Sequence, residues 1–127
     1  MLLARDFDVK KASEMWKHWV KFHEETKPWA ILESDIAPEL IAGKAFVYGL
    51  DREKHPIIYT VPRRHVAGEI DRQITKTFFI YQLEKGLKLA AASGAGRVAI
   101  LVDLTGFSKK NYSTKDNDLI KGLLSVL

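Results

Sequence analysis

From Phe7 to Thr26 apolar residues return every three or four positions. Ala12, Met15, Trp16, Trp19, Val20 and His23 make one stripe, with Lys10, Lys11, Lys17 and Lys21 mostly off it. The spacing predicts an amphipathic helix that wants a partner surface. Asp8 supplies a cap for its start, and Lys27-Pro28 ends it, because a residue before proline disfavours helix. A connector follows over residues 29–42, with a helical turn near Pro38-Glu-Leu-Ile41. The pattern then shifts to short runs rich in Val, Ile, Tyr and Phe. Ala45–Leu50 and Pro56–Val61 predict two strands, and the polar turn Asp51-Arg-Glu-Lys-His55 is short enough to make them antiparallel. Pro62–Gly68 reads as a loop. Asp71 opens a long helix to about Ala92, whose apolar residues (among them Ile74, Phe78, Phe79, Ile80, Tyr81, Leu83) surround most of its circumference. Such a helix is expected to be covered on more than one side. Val98–Val102 is apolar without interruption, which predicts a strand buried on both faces, as in the middle of a parallel sheet. Ser113-Thr-Lys-Asp116 has the form of a capping box before a last helix that runs to Leu127. Its naked leucines at the end suggest a fragment or a shortened form.

Helix, strand, strand, helix, strand, helix is an α/β order with a mixed, mostly parallel sheet flanked by helices. The expected division is an N-terminal helical segment, 1–42, and a sheet-bearing part, 43–127. Composition adds little: 127 residues, 46% hydrophobic and 28% charged, suit one core. The absence of cysteine excludes disulfides, thiolate zinc sites and thiol catalysis. No apolar run approaches the ~20 residues of a membrane-spanning helix, and the first residues are too short for a signal peptide. The expectation is a cytoplasmic protein. The net charge of +4 favours anionic surfaces, but the basic residues are too scattered for a nucleic-acid groove, so no nucleic-acid partner is expected.

Reactive constellations are missing from the pattern. The histidines His18, His23, His55 and His65 fall on separate elements without metal-ligand spacing. Gly94-Ala-Gly96 precedes its strand, whereas a dinucleotide fingerprint must follow one. Asp103 stands at the carboxyl end of the apolar strand with no histidine to activate Thr105 or Ser108. Its expected role is to accept hydrogen bonds from the Thr105-Gly-Phe turn. Arg63-Arg-His65 offers contacts to phosphate.

Four motifs in order resemble the CRAL-TRIO lipid-binding domain of phosphatidylinositol-transfer-like proteins. They are the helix entry Leu3-Ala-Arg-Asp-Phe-Asp-Val-Lys-Lys-Ala12; the hairpin Gly43–Asp51 with His55-Pro-Ile-Ile-Tyr59; Tyr81-Gln-Leu-Glu84 on the long helix; and Leu101-Val-Asp-Leu-Thr-Gly-Phe-Ser108. The resemblance covers about the first half of that domain, without the gate helix that closes over acyl chains. It implies a non-enzymatic module, cytoplasmic and peripheral to membranes. Such a module holds a phospholipid or other hydrophobic ligand in an apolar cavity, needs no cofactor beyond the bound lipid, and exchanges it with anionic membrane surfaces.

Arg5 matches the first basic residue of the family's headgroup pair, and Asp6 reverses the second. Val98 and Ile100 stand where phosphatidylcholine binders carry Ser and Thr. Lys54-His55 replaces the Gly-Arg before the hairpin proline, so that turn loses its permissive glycine. Strand alternation makes Val47, Ile58, Val98 and Ile100 candidates for the cavity wall, with Phe78 and Tyr81 from the helix. Arg63 and Arg64 are candidates for phosphate or membrane-surface contact. Without the closing half, the sheet is expected to expose an apolar face, to bind lipid weakly and to self-associate. A protein-interaction or regulatory remnant, without lipid binding of its own, is the alternative.

Overall fold

A computed structural model describes residues 5–125. Leu3 and Ala4 of the helix-entry motif, and Val126 and Leu127 of the final leucine-rich turn, lie outside the described residues. Helix α1 spans Val9–Thr26. The Asp8 carboxylate accepts from the Lys11 amide at 3.0 Å, and Lys27 closes the helix in the left-handed conformation. Phe7, expected inside the helix, lies before the cap at φ 62°. The connector holds two 3-10 turns, Pro28–Ala30 and Glu33–Ile36, then a short helix α2, Ala37–Ala42. Strands β1 (Ala45–Leu50) and β2 (Pro56–Thr60) form the expected antiparallel hairpin. Helix α3 runs Arg72–Ser93 and is capped by Asp71, whose carboxylate accepts from the Gln73 amide. Strand β3 is Ala99–Val102 and α4 is Thr114–Ser125.

The three strands form a mixed sheet in the order β1-β2-β3, with β3 parallel to β2. The fold is therefore α/β, a mixed sheet flanked by helices behind an N-terminal helix, consistent with a partial CRAL-TRIO fold. The division proposed after residue 42 falls between Glu39 and Lys44, which are paired in the interior: Lys44 Nζ lies 2.8 Å from Glu39 Oε2.

The core lies between the sheet and α3. Ile36, Ala45, Ile58 and Phe78 form its centre, with Val47, Tyr81, Leu83 and Val98 packed around them. Gly86 lets α3 approach closely, since a Cβ there would meet Ile58 Cδ1 at 3.2 Å. As expected, α3 is covered on several sides. It packs on β1 and β2, on the Glu33–Ile36 turn, on α2 and on α4.

The expectation for β3 fails. Among the described residues it is an edge strand, hydrogen-bonded to β2 alone, and Ile100 is 47% exposed, with Leu101 and Val102 alike. An apolar run records a strand's chemistry, whereas burial depends on its neighbours. Here α3 sits over β1 and β2 and barely reaches β3. The proposed capping box also differs. The Asp116 carboxylate accepts instead from Arg72 Nε at 2.9 Å and contacts His65 Nε2 at 3.1 Å, tying α4 to the 62–68 loop and to the start of α3.

Candidate functional site

Side chains alternate along each strand, so the register divides the sheet into two faces. Val47 pairs with Ile58 and Ile58 with Ile100, forming one row. This row faces α3: Ile58 is 4% exposed and touches the Gly86 position, and Val47 packs on the same core. Only Ile100, on the uncovered edge, remains open. The adjacent row is Phe46, Tyr59 and Leu101, again paired in register. It points away from α3. Phe46 stacks on Tyr59 with ring centroids 5.4 Å apart, and Tyr48 meets Phe46 edge-on at 6.4 Å. Phe46 is 38% and Tyr48 66% exposed. Three aromatic rings and Leu101 thus form an apolar slab on the outer face of the sheet.

A polar rim bounds the slab at the carboxyl end of β3. The Asp103 carboxylate accepts from the Thr105 amide at 3.0 Å, as expected for that turn. It also accepts from Arg63 Nη1 at 2.7 Å and from the Tyr59 hydroxyl at 3.2 Å. Hydrogen bonds from Thr105 and the Arg63 guanidinium hold Asp103 far below the usual carboxylate range. It is therefore a fixed anion rather than a proton-transfer group. Arg64 donates from Nη1 to the Gly43 carbonyl at 2.9 Å, and its guanidinium fills the space a Cβ on Gly43 would need. Each arginine retains donors beyond these bonds, since a guanidinium carries five.

The candidates read from sequence occupy three different places. Val47, Ile58, Phe78, Tyr81 and Val98 come together in the core, where Phe78 is fully buried; the Tyr81 hydroxyl reaches out to Glu33 Oε1 at 2.9 Å. Arg63 and Arg64 stand beside the outer slab and the start of β1. Arg5 lies elsewhere, near Lys11, Glu14 and His18 of α1 and Ser125 of α4. Sequence reasoning missed Phe46, Tyr48, Tyr59 and Leu101. Their signal was the same alternation, read with the opposite parity.

A cavity of about 190 Å3 lies on the helical side, between the end of β2, α3 and α4. None of the six apolar candidates borders it. Val61, Phe79, Phe107, Leu119 and Ile120 supply most of its wall, and Lys44, His65 and Asp116 its polar end. Among the described residues no group of histidine and carboxylate side chains is arranged to hold a metal ion, and no helix is long and apolar enough to cross a membrane.

Comparison with known proteins matches residues 40–127 to the CRAL/TRIO domain. Patellin-4 of Arabidopsis thaliana is 33% identical over 104 residues, covering 79% of this chain and 19% of the relative. The phosphatidylinositol transfer protein CSR1 of Eremothecium gossypii is 31% identical over 120 residues, covering 85% of this chain and 27% of the relative. Patellin-6 of Arabidopsis thaliana is 25% identical, covering 94% of this chain and 32% of the relative. The chain thus spans about a fifth to a third of the length of these curated relatives. With its mixed sheet and a family match running from α2 to the last residue, this chain belongs to the CRAL/TRIO domain family.

Proposed function

We propose that this chain is a lipid-binding module whose acyl-chain surface is the outer slab of Phe46, Tyr48, Tyr59 and Leu101. The observation that carries the reading is the exposure of that row, in register across all three strands, with a charged rim at one end. Apolar surface removed from water contributes about 25 cal/mol per Å2, so tails laid on the slab are held without covalent chemistry. Arg63 and Arg64 meet a lipid phosphate or an anionic membrane surface at the rim. Val47, Ile58, Phe78, Tyr81 and Val98 form the second layer that keeps the slab flat. Arg5, on the far side of α1, makes a separate contact with phosphate. The module acts in the cytoplasm, at the membrane periphery and without a catalytic step, and exchanges its lipid with the bilayer. The name of the Eremothecium relative supports phosphatidylinositol as the lipid class.

Cosedimentation with vesicles tests this reading. Wild-type protein is expected to pellet with phosphatidylcholine vesicles, more strongly when phosphatidylinositol is included, and less as salt rises. Paired Phe46→Ser and Leu101→Ser substitutions should abolish pelleting at unchanged helicity. Undiminished pelleting of that variant would refute the slab as the lipid surface.

One observation favours a second reading. The outer edge of β3 has no strand partner among the described residues, and its Ile100 and Val102 are half-exposed. Such an edge pairs readily with another chain, which suits self-association or a regulatory remnant. Sedimentation equilibrium separates the two: concentration-dependent dimers that persist with bound lipid favour the edge.

A further inference from the structure

The cavity on the helical side has a feature that the lipid reading leaves unused. Lys44 is 2% exposed at its polar end. Its ammonium lies 2.8 Å from Glu39 Oε2 and 3.1 Å from His65 Nδ1. An ammonium has three hydrogens; His65 Nδ1 accepts one, whereas Glu39 Oε2 faces the ammonium as an ion-pair partner without hydrogen-bond geometry. The acceptor role of Nδ1 toward a cation requires neutral His65 with its proton on Nε2, which donates to Asp116. Asp116 is in turn paired with Arg72, and Glu39 accepts from the Thr75 hydroxyl. The charges around the cavity therefore cancel: Glu39 against Lys44 and Asp116 against Arg72.

We propose that this cavity is a binding site for a small uncharged apolar molecule with one acceptor oxygen, which accepts a hydrogen bond from the Lys44 ammonium. Size sets the first limit. At about 190 Å3 it exceeds the ~150 Å3 apolar cavity that takes up benzene, and it falls short of the ~300–1,000 Å3 of sites that enclose drug-sized ligands. A single ring or a short chain fits; a two-tailed phospholipid does not. Charge sets the second limit. A ligand carboxylate would place a third anion beside Glu39 and Asp116 in a region of low dielectric, whereas a carbonyl or hydroxyl satisfies Lys44 without adding charge. The apolar wall of Val61, Phe79, Phe107, Leu119 and Ile120 receives the rest of the molecule. The site is separate from the outer slab and does not depend on it.

Amide chemical-shift titration of the wild-type protein with acetophenone, ethylbenzene and benzoate tests the proposal. Acetophenone should give saturable shifts centred on Phe79, Phe107 and Ile120. Ethylbenzene, lacking the oxygen, should bind about tenfold more weakly, the scale of one hydrogen bond to a charged donor. Benzoate should bind no better than ethylbenzene. Ile120→Trp, at a partly exposed wall position, fills the cavity and should remove the shifts for all three. Absence of saturable shifts overturns the site. Equal binding of acetophenone and ethylbenzene, or tighter binding of benzoate, overturns the role given to Lys44 and with it the ligand class. The wild-type ligand series decides this without any variant, and shifts confined to Phe46 and Tyr59 count against the proposal.

Discussion

Adjacent residues on the same strands have opposite fates. Val47 and Ile58 are packed under α3, while Phe46 and Tyr59, one position away, stack on the outer face. Both rows are apolar, so hydrophobicity does not distinguish them. The inner row is aliphatic and shaped to a helix that approaches through Gly86. The outer row is broad, aromatic and ends in the Tyr59–Asp103–Arg63 cluster. A face built only for the core has no use for a polar rim, whereas a face for an amphiphile needs both parts. Apolar composition identifies a surface that avoids water, and the neighbouring elements decide what covers it.

The difference can be broken from either side. Phe78→Ala should cost about 3–5 kcal/mol, because the fully buried ring leaves a cavity; urea unfolding measures it. Phe46→Ala should cost less, about 2 kcal/mol, from its stack on Tyr59 and its partly buried ring, and should weaken vesicle binding more than folding. Equal costs would mean that the two rows are equivalent.

Lys44→Met should be nearly as damaging as the core truncation. It strands the buried Glu39 carboxylate, a loss of about 3–5 kcal/mol for one partner of a buried pair. Adding Glu39→Leu should recover most of that loss in the same urea experiment. Failure to recover would show that Thr75 and His65, rather than the charge pair, carry the stability.

Acid should act on the rim and on the α4 tether. Asp103 is held low by Thr105 and Arg63. Asp116 is held low by Arg72 and His65, although burial opposes them. A depressed carboxylate stabilises the fold fully above its unfolded pKa, near 3.9, and loses that contribution as pH falls through the lower folded value. The urea midpoint should therefore drop below about pH 4, and Asp116→Asn should flatten the drop. An unchanged slope in that variant would remove Asp116 from the account.

The smallest effect concerns the hairpin. Lys54 adopts φ 67°, the left-handed conformation that the missing glycine would supply. Lys54→Gly should raise stability by about 1 kcal/mol, seen as a higher melting temperature with vesicle binding unchanged.

Much of this was legible along the chain. Asp8 and Asp71 announced the starts of α1 and α3, and the 51–55 turn fixed the hairpin. The turn-forming role of Asp103 is legible because Thr105 and Gly106 follow it, and the Thr105 amide donates to its carboxylate. Parity and neighbours were not legible. Alternation grouped Val47, Ile58 and Ile100 on one face but carried no sign for which face α3 would cover. The unbroken run Val98–Val102 describes a strand that neighbours on both sides would bury, and among the described residues β3 has one. The Glu39–Lys44–His65–Asp116 chain was also hidden, since its members come from α2, the residue before β1, the loop after β2 and α4, and no local pattern shows that these segments meet.

Paramagnetic broadening in vesicles that carry spin-labelled acyl chains tests the central claim most directly. The account predicts that amides and side chains of Phe46, Tyr48, Tyr59 and Leu101 broaden first, while Val47, Ile58 and Val98 stay sharp. Broadening centred on the inner row, or spread evenly over both, would contradict it.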